Sequence, residues 1–216
     1  MFKKNLKVLV VDDHQLMVEG YISILQRLDY NIEVMTANNC EAAEKQLRQI
    51  ICFDIILLDR SLPSLDNQRN GDDLALLAKQ IMPDAKILIL TSHSEGFALY
   101  SIVHKIKPDG LLVKCDFNGV ELLDAVVRVL QGGTYKSSTV TKVLKGLTSK
   151  STFLDNYNRQ IVVLLSQGIK TKNLSEHIPL SNSAIDKRKV YIKEFFGLDK
   201  SSDEDIIKAA KKEGFI

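Results

Sequence analysis

Five times in the first 133 residues a short apolar run gives way to a longer amphipathic segment, and this rhythm narrows the choice of folds more than any other feature of the chain. Runs that are apolar at consecutive positions suit strands buried on both faces. Strands separated each time by a helix-length segment pair in parallel, with the helices as crossovers. The strands expected are KVLVV (Lys7–Val11), NIEVMT (Asn31–Thr36), FDIILLD (Phe53–Asp59), KILILT (Lys86–Thr91) and GLLVK (Gly110–Lys114). The second alternates and suits a sheet edge. Helices are expected over Gln15–Leu28, Asn39–Ile50, Asp72–Ile81, Glu95–Lys105 and Asn118–Leu130, where apolar residues recur at three and four spacing.

The rhythm stops at Gly132 and Gly133. Residues 134–152, TYKSSTVTKVLKGLTSKST, are rich in Ser, Thr and Lys without an acidic residue, and read as a linker holding one short helix. Beyond them no strand pattern occurs, and helices are expected over Asp155–Gln167, Lys172–Ile178, Asn182–Phe196 and Asp203–Lys212, with stops at Gly168, Pro179 and Gly197. Ser201 with Glu204 reads as a capping box for the last helix. The expected division is an α/β domain over 1–133, a linker over 134–152 and a small all-α domain over 153–216.

Charge follows the same division. Residues 1–133 hold 14 basic and 18 acidic side chains, residues 134–150 hold four lysines, and residues 151–216 hold 11 basic and 9 acidic ones. The overall net charge of +2 is too small to argue for nucleic acid or membrane by itself. Cys40, Cys52 and Cys115 are odd in number and lack metal-ligand spacing, which speaks against a disulfide framework and suits a reducing cytoplasm. No run approaches eighteen apolar residues, and the start, MFKKNLKVLVVDD, is neither a signal peptide nor a membrane span, so no membrane association is expected.

In an open α/β sheet, ligands bind outside the carboxyl ends of the strands, so polar residues that end apolar runs are candidates. Strand one ends in Asp12 and Asp13, strand three in Asp59, strand four in Thr91 and Ser92, and strand five in Lys114. Three carboxylates in one crevice repel unless a cation sits among them, and carboxylates with water suit a hard ion such as Mg²⁺. Thr91 as a donor and Lys114 as a point charge complete a pocket for a tetrahedral anion.

These residues in this order, with VLVVDDHQLMVEG at the start and IILLDRSLP around the third strand end, resemble the receiver domain of two-component response regulators over roughly the first 130 residues. The resemblance implies a flavodoxin-like (βα)5 fold and a partner sensor histidine kinase whose phosphohistidine supplies a phosphoryl group to Asp59. It implies Mg²⁺ held by Asp12, Asp13, Asp59 and the backbone carbonyl of Ser61, with Thr91 and Lys114 serving the transfer. The product is a phosphoacceptor regulator rather than an enzyme, limited to autophosphorylation and slow self-dephosphorylation. Haloacid-dehalogenase-like phosphatases also use an Asp nucleophile, but usually place a second Asp two positions on, where this chain has Ser61.

Two departures stand out. The family's Gly about eight residues after the phosphoacceptor corresponds to Gly71, behind an apparent four-residue insertion between Ser61 and Asn70, and the family's aromatic switch position in strand five is Leu111. His14, at the start of the first helix, reads as a cap-region or packing residue, Cys115 as a small side chain, and His93 as a modest influence on phosphoryl lifetime.

The segment KTKNLSEHIPLSNSAIDKRKVYIKEFFG reads as helix, turn, helix, with Leu174, Ile178, Ile185, Ile192 and Phe196 facing inward. Residues 156–216 resemble the LuxR-type (NarL/FixJ-like) helix-turn-helix domain, with landmarks at Gln167 and Gly168, Leu180 and Ser181, and Gly197 and Leu198. The resemblance makes Asn182–Phe196 the recognition helix, with DNA contacts from Lys172, Lys187, Arg188, Lys189 and Lys193. Ala184, Asp186 and Phe195 depart from its usual residues.

Together these readings describe a cytoplasmic response regulator that controls transcription by binding double-stranded promoter DNA, as a homodimer because a single such helix buries little surface. Two rivals remain at this point. One is a phosphorylation-dependent adaptor whose helical domain binds protein, supported by Asp186 and Phe195; the other is an Mg²⁺-dependent phosphatase using Asp59.

Overall fold

The computed structural model describes residues 4–49, 52–63, 70–150, 155–198 and 201–216. The chain divides into two compact units, one made of Met1–Ser94 and Ser101–Thr141, the other of Glu95–Tyr100 and Lys142–Ile216.

The first unit is built on a six-stranded, all-parallel sheet of order β2-β1-β3-β4-β5-β6. Its strands are β1 (Asn5–Val11), β2 (Asn31–Ala37), β3 (Ile55–Asp59), β4 (Lys86–Thr91), β5 (Gly110–Val113) and β6 (Tyr135–Lys136). Every residue of β3 and β5 is buried, whereas β2 alternates and lies at the edge, as its sequence requires. Its helices are α1 (Gln15–Leu25), α2 (Cys40–Leu47), α3 (Gly71–Ile81) and α5 (Gly119–Leu130); α4 (Gly96–Ser101), between β4 and β5 in the chain, is counted with the second unit except for Ser101. One layer of the core joins Val8, Val10, Leu57, Leu88, Leu90 and Leu112 to Val18, Leu25, Leu122, Val126 and Val129 of α1 and α5.

Sharp N-caps explain where α2, α3 and α5 begin. Asn39 accepts from the Ala42 N–H, while Asn70 and Asn118 form complete capping boxes with Asp73 and Glu121. The expected helix over 95–105 is not uniform: α4 ends at Ser101, Ile102–Ile106 form a π turn, and Lys107 closes it at φ 53°.

The stretch read as a linker carries more structure than one short helix. β6 pairs with β5, and the thirteen-residue α6 (Ser138–Lys150) follows. A two-residue strand offers no periodicity to read, and α6 lacks the charge alternation that marks a surface helix. Residues 151 and 152 of that stretch, and residues 64–69 of the longer loop between Ser61 and Asn70, lie outside the described residues.

The second unit contains α7 (Asn156–Ser166), a 3-10 turn (Thr171–Glu176), α8 (Asn182–Phe195) and α9 (Asp203–Lys212). The expected helix Lys172–Ile178 is this 3-10 turn, too short for an α-helix between Gly168 and Pro179. Ile161, Val162, Leu174, Ile178, Ile185, Ile192 and Ile206 form the core. The capping box of α9 is made by Ser202 and Asp205, one residue beyond the expected Ser201–Glu204 pair. Either pair satisfies the spacing; the chain turns at Ser202, whose hydroxyl accepts from the Asp205 N–H.

Candidate functional site

Parallel pairing aligns the carboxyl ends of the strands, and this brings the polar residues after each apolar run to one rim. Asp59 ends β3 opposite Leu90, and Thr91 ends β4 opposite Val113. Asp12, Asp59 and Thr91 are all buried, at 2%, 1% and 0% exposure, so this polar cluster sits in a low-dielectric setting.

Lys114 joins the two deepest carboxylates. Its ammonium lies 2.8 Å from Asp12 Oδ2 and 2.9 Å from Asp59 Oδ2. Burial by itself disfavours the Lys114 charge, but hydrogen bonds to Asp12 and Asp59 outweigh it and raise its pKa above the ordinary lysine value. The backbone N–H of Lys114 donates to the Thr91 carbonyl at 2.7 Å, which fixes the base of the side chain. The Ser61 N–H donates to Asp59 Oδ1 at 3.2 Å, and the His93 N–H donates to Thr91 Oγ1 at 3.0 Å.

Ligand atoms of Asp12, Asp13, His14 and Asp59 all lie within 4.8 Å of one another, a donor set that fits a divalent cation. His14 stands in the cap region, as its place at the start of the helix predicts, but its ring is not packed. It occupies the N-cap of α1 without a side-chain cap bond, and its ring is 68% exposed, with Nδ1 2.9 Å from Asp13 Oδ1 and 3.3 Å from Asp12 Oδ1. Beneath the cluster, Tyr21 is 3% exposed, and its hydroxyl has no hydrogen-bond partner among the described residues. Burial and then the charges of Asp12 and Asp59 push the Tyr21 pKa well above the ordinary tyrosine value.

Two neighbours of the site carry no sequence signature. Arg60 grips Asp72 with two hydrogen bonds, 2.9 and 3.1 Å, which ties the residue after Asp59 to the first turn of α3. A Cβ on Gly71 would stand 2.5 Å from the Arg60 carbonyl oxygen, so glycine is required there for close approach. On the far side of Lys114, Asp116 accepts from Ser138 Oγ, Thr139 N and Thr139 Oγ1 at 2.7, 2.7 and 3.0 Å, capping α6 from 22 residues away.

In the second unit, α8 does not present its cations as a simple row. Arg188 turns inward to Asp155 and to Asn158 (3.0 Å), with its guanidinium 5.1 Å from the Tyr157 ring centre. Lys189 reaches Thr171 Oγ1 at 2.6 Å and pairs with Asp203, and Lys193 donates to the Ser201 carbonyl. Lys172 and Lys187 are exposed. The outward face of α8 therefore shows Ser183, Asp186, Lys187, Val190 and Glu194, with Val190 57% exposed. Phe195 packs edge-to-face against Phe196 and Phe215 at 5.0 and 5.8 Å. Its departure from the usual residue thus serves the core of the unit, which removes one of the two supports for protein docking.

No described helix is long and apolar enough to cross a membrane. Cys40, Cys52 and Cys115 are not joined in disulfides.

Comparison with known proteins agrees with this geometry. The profile of the response regulator receiver domain matches residues 8–127. The transcriptional regulatory protein MctR of Rhizobium johnstonii is 25% identical over 217 residues, covering 99% of this chain and 97% of its own. The oxygen regulatory protein NreC of Staphylococcus carnosus is 26% identical over 224 residues, covering 96% and 98%. Among solved structures, RcsB of Salmonella enterica serovar Typhimurium, bound to a promoter with a phosphomimetic, superimposes with a TM-score of 0.66 at 19% identity, over 95% of this chain and 98% of that one. A likeness at that identity establishes the fold of both units. Since the receiver profile spans more than half of its length and the curated relatives run through nearly all of it, this chain belongs to the response regulator receiver domain family.

Proposed function

We propose that the protein is a two-component response regulator phosphorylated on Asp59 by a sensor histidine kinase, and that it controls transcription through its second unit. In this reading residues 1–133 are the receiver, 134–152 the connection and 153–216 the LuxR-type output domain. The observation that carries it is the bridge from Lys114 to both Asp12 and Asp59, which concentrates charge where a phosphoryl group would sit.

An Asp59 carboxylate oxygen attacks phosphorus, the phosphorus–nitrogen bond of the donor histidine breaks, and the imidazole leaves. The spread-out anionic transition state needs positioning and charge rather than covalent help. Lys114 supplies a cation, and Thr91 supplies a hydroxyl. Asp12, Asp13, Asp59 and the Ser61 carbonyl would hold Mg²⁺, which when bound neutralises phosphoryl oxygens. The chain is thereby a regulator limited to accepting and slowly losing its phosphoryl group.

Support for promoter DNA as the partner comes from the fold shared with RcsB, solved on DNA, and from the names of MctR and its kind. Lys172 and Lys187 are the phosphate contacts of first rank because both are exposed, while Arg188, Lys189 and Lys193 brace the unit that presents them. Homodimerisation would supply the affinity that these two contacts alone cannot. A cytoplasmic location accords with a promoter as the partner.

A protein-docking adaptor is favoured by one observation: the outward face of α8 shows Asp186 and Glu194 beside exposed Val190. One experiment separates the readings. The chain is treated with acetyl phosphate and Mg²⁺, its mass is measured under conditions that spare acyl phosphates, and it is then titrated with random DNA fragments over a range of salt. A mass gain lost in Asp59→Asn, with salt-dependent selection of symmetric sites, is expected. An unchanged mass overturns the receiver role, and affinity for no DNA at any salt leaves the adaptor.

A further inference from the structure

Among the groups clustered at the strand ends, His14 is the one that the phosphoryl chemistry does not use. Its ring is 68% exposed, yet it does not extend into solvent: Nδ1 lies 2.9 Å from Asp13 Oδ1 and 3.3 Å from Asp12 Oδ1. Its backbone N–H donates to Asp12 Oδ1 at 2.9 Å, so the carboxylate, the N–H and the ring turn together at the top of β1.

The spacing is that of donors around one ion. Ligand atoms about 2.1 Å from a six-coordinate cation stand about 3.0 Å apart when adjacent and about 4.2 Å apart when opposite. The Nδ1 distances to Asp13 and Asp12 match the adjacent separation, and the full spread of 4.8 Å among Asp12, Asp13, His14 and Asp59 needs a contraction of only about half an ångström. The exposed ring carries no side-chain cap bond, so this movement asks only that its contacts with Asp12 and Asp13 shift.

We propose that His14 Nδ1 is a ligand of the divalent ion in the receiver pocket, giving the site one nitrogen among its oxygens. The proposal rests on the receiver reading above. Its chemical consequence is selectivity. An all-oxygen site suits Mg²⁺, whereas imidazole suits first-row transition ions, whose affinity for mixed nitrogen and oxygen donors rises from Mn²⁺ onward. The pocket therefore takes borderline ions such as Mn²⁺ ahead of Mg²⁺ by a margin that His14 sets. Asp12 and Asp13 lie against the same nitrogen, so the ion would take the place of the Nδ1 proton that these contacts share.

The probe is Mn²⁺ itself, added to the full chain and read by pulsed electron paramagnetic resonance. Directly bound imidazole nitrogen modulates the Mn²⁺ echo, and the modulation changes frequency when the histidines carry ¹⁵N. The wild type is expected to show it and His14→Gln to lose it, with Mn²⁺ affinity falling about tenfold and Mg²⁺ affinity by less than about twofold, both by calorimetry. Since His14 is exposed, His14→Gln keeps the fold, which circular dichroism verifies. Mn²⁺ bound without nitrogen modulation, or with modulation that survives in His14→Gln, overturns the proposal and leaves the phosphorylation reading intact. Failure of either ion to bind the wild type overturns both.

Discussion

Lys114 is the residue on which the pocket balances. Removing one partner of a buried charge cluster strands the others, and Lys114→Met leaves Asp12 and Asp59 side by side with no cation between them. Such a loss costs about 3 kcal/mol. The variant should unfold at lower urea than the wild type in chelator, and Mg²⁺ should recover more stability in the variant than in the wild type; identical midpoints would show that Lys114 does not compensate the carboxylates. Gly71 gives a second test at the same scale. A methyl group on it meets the Arg60 backbone rather than a yielding side chain, so Gly71→Ala should destabilise by about 1–3 kcal/mol and loosen the Arg60–Asp72 grip, visible as faster amide exchange around Asp59.

Elements are held by partners that sit far along the chain, and this decides what their side chains can do. Arg188 and Lys189 carry the charge that a recognition helix uses, yet each is bound to an acid 33 or 14 residues away, Asp155 and Asp203. Burial raises the pKa of both acids, but hydrogen bonds from Arg188 and from Lys189 with Thr171 outweigh it and hold them below the ordinary carboxylate range. A folded pKa below the unfolded one stabilises the fold at pH above about 4, and that contribution fades as the pH falls through the depressed value. Circular dichroism over an acid titration should therefore show the helices losing stability as the pH falls below about 4, and Asp203→Asn should weaken them at neutral pH while lessening this dependence. Substitution at Arg188 should lower DNA affinity and melting temperature together, whereas Lys187→Ala should lower affinity alone. Four of the long strands were readable because burial on both faces makes them continuously apolar, β2 because it alternates at the edge, and the carboxylates because they end those runs. Ion pairs across 33 residues leave no periodic mark, so the inward turn of Arg188 was not; nor was Asp116, whose serine and threonine partners lie beyond a whole helix. The cap position of His14 was legible, but a place at a helix start describes the backbone and not the direction of the ring.

At the scale of the whole molecule, charge is spread so that DNA affinity depends on assembly. With Lys172 and Lys187 as the phosphate contacts of each copy, a dimer makes about four, so a plot of log affinity against log salt should have a slope of about −4. A slope more than twice as steep would place Arg188, Lys189 and Lys193 on the phosphates after all. The sixth strand bears on how the two halves can be separated. Tyr135 and Lys136 satisfy the outer row of β5, and the Ser137 hydroxyl accepts from the Val113 N–H at 3.2 Å. A fragment cut after Gly133, where the apolar rhythm ends, would bare that row of amides one residue from Lys114 and offer it to a neighbouring copy, so it should self-associate during purification. A fragment that runs on through Thr141 keeps its border sealed and should behave as a monomer in the absence of phosphate.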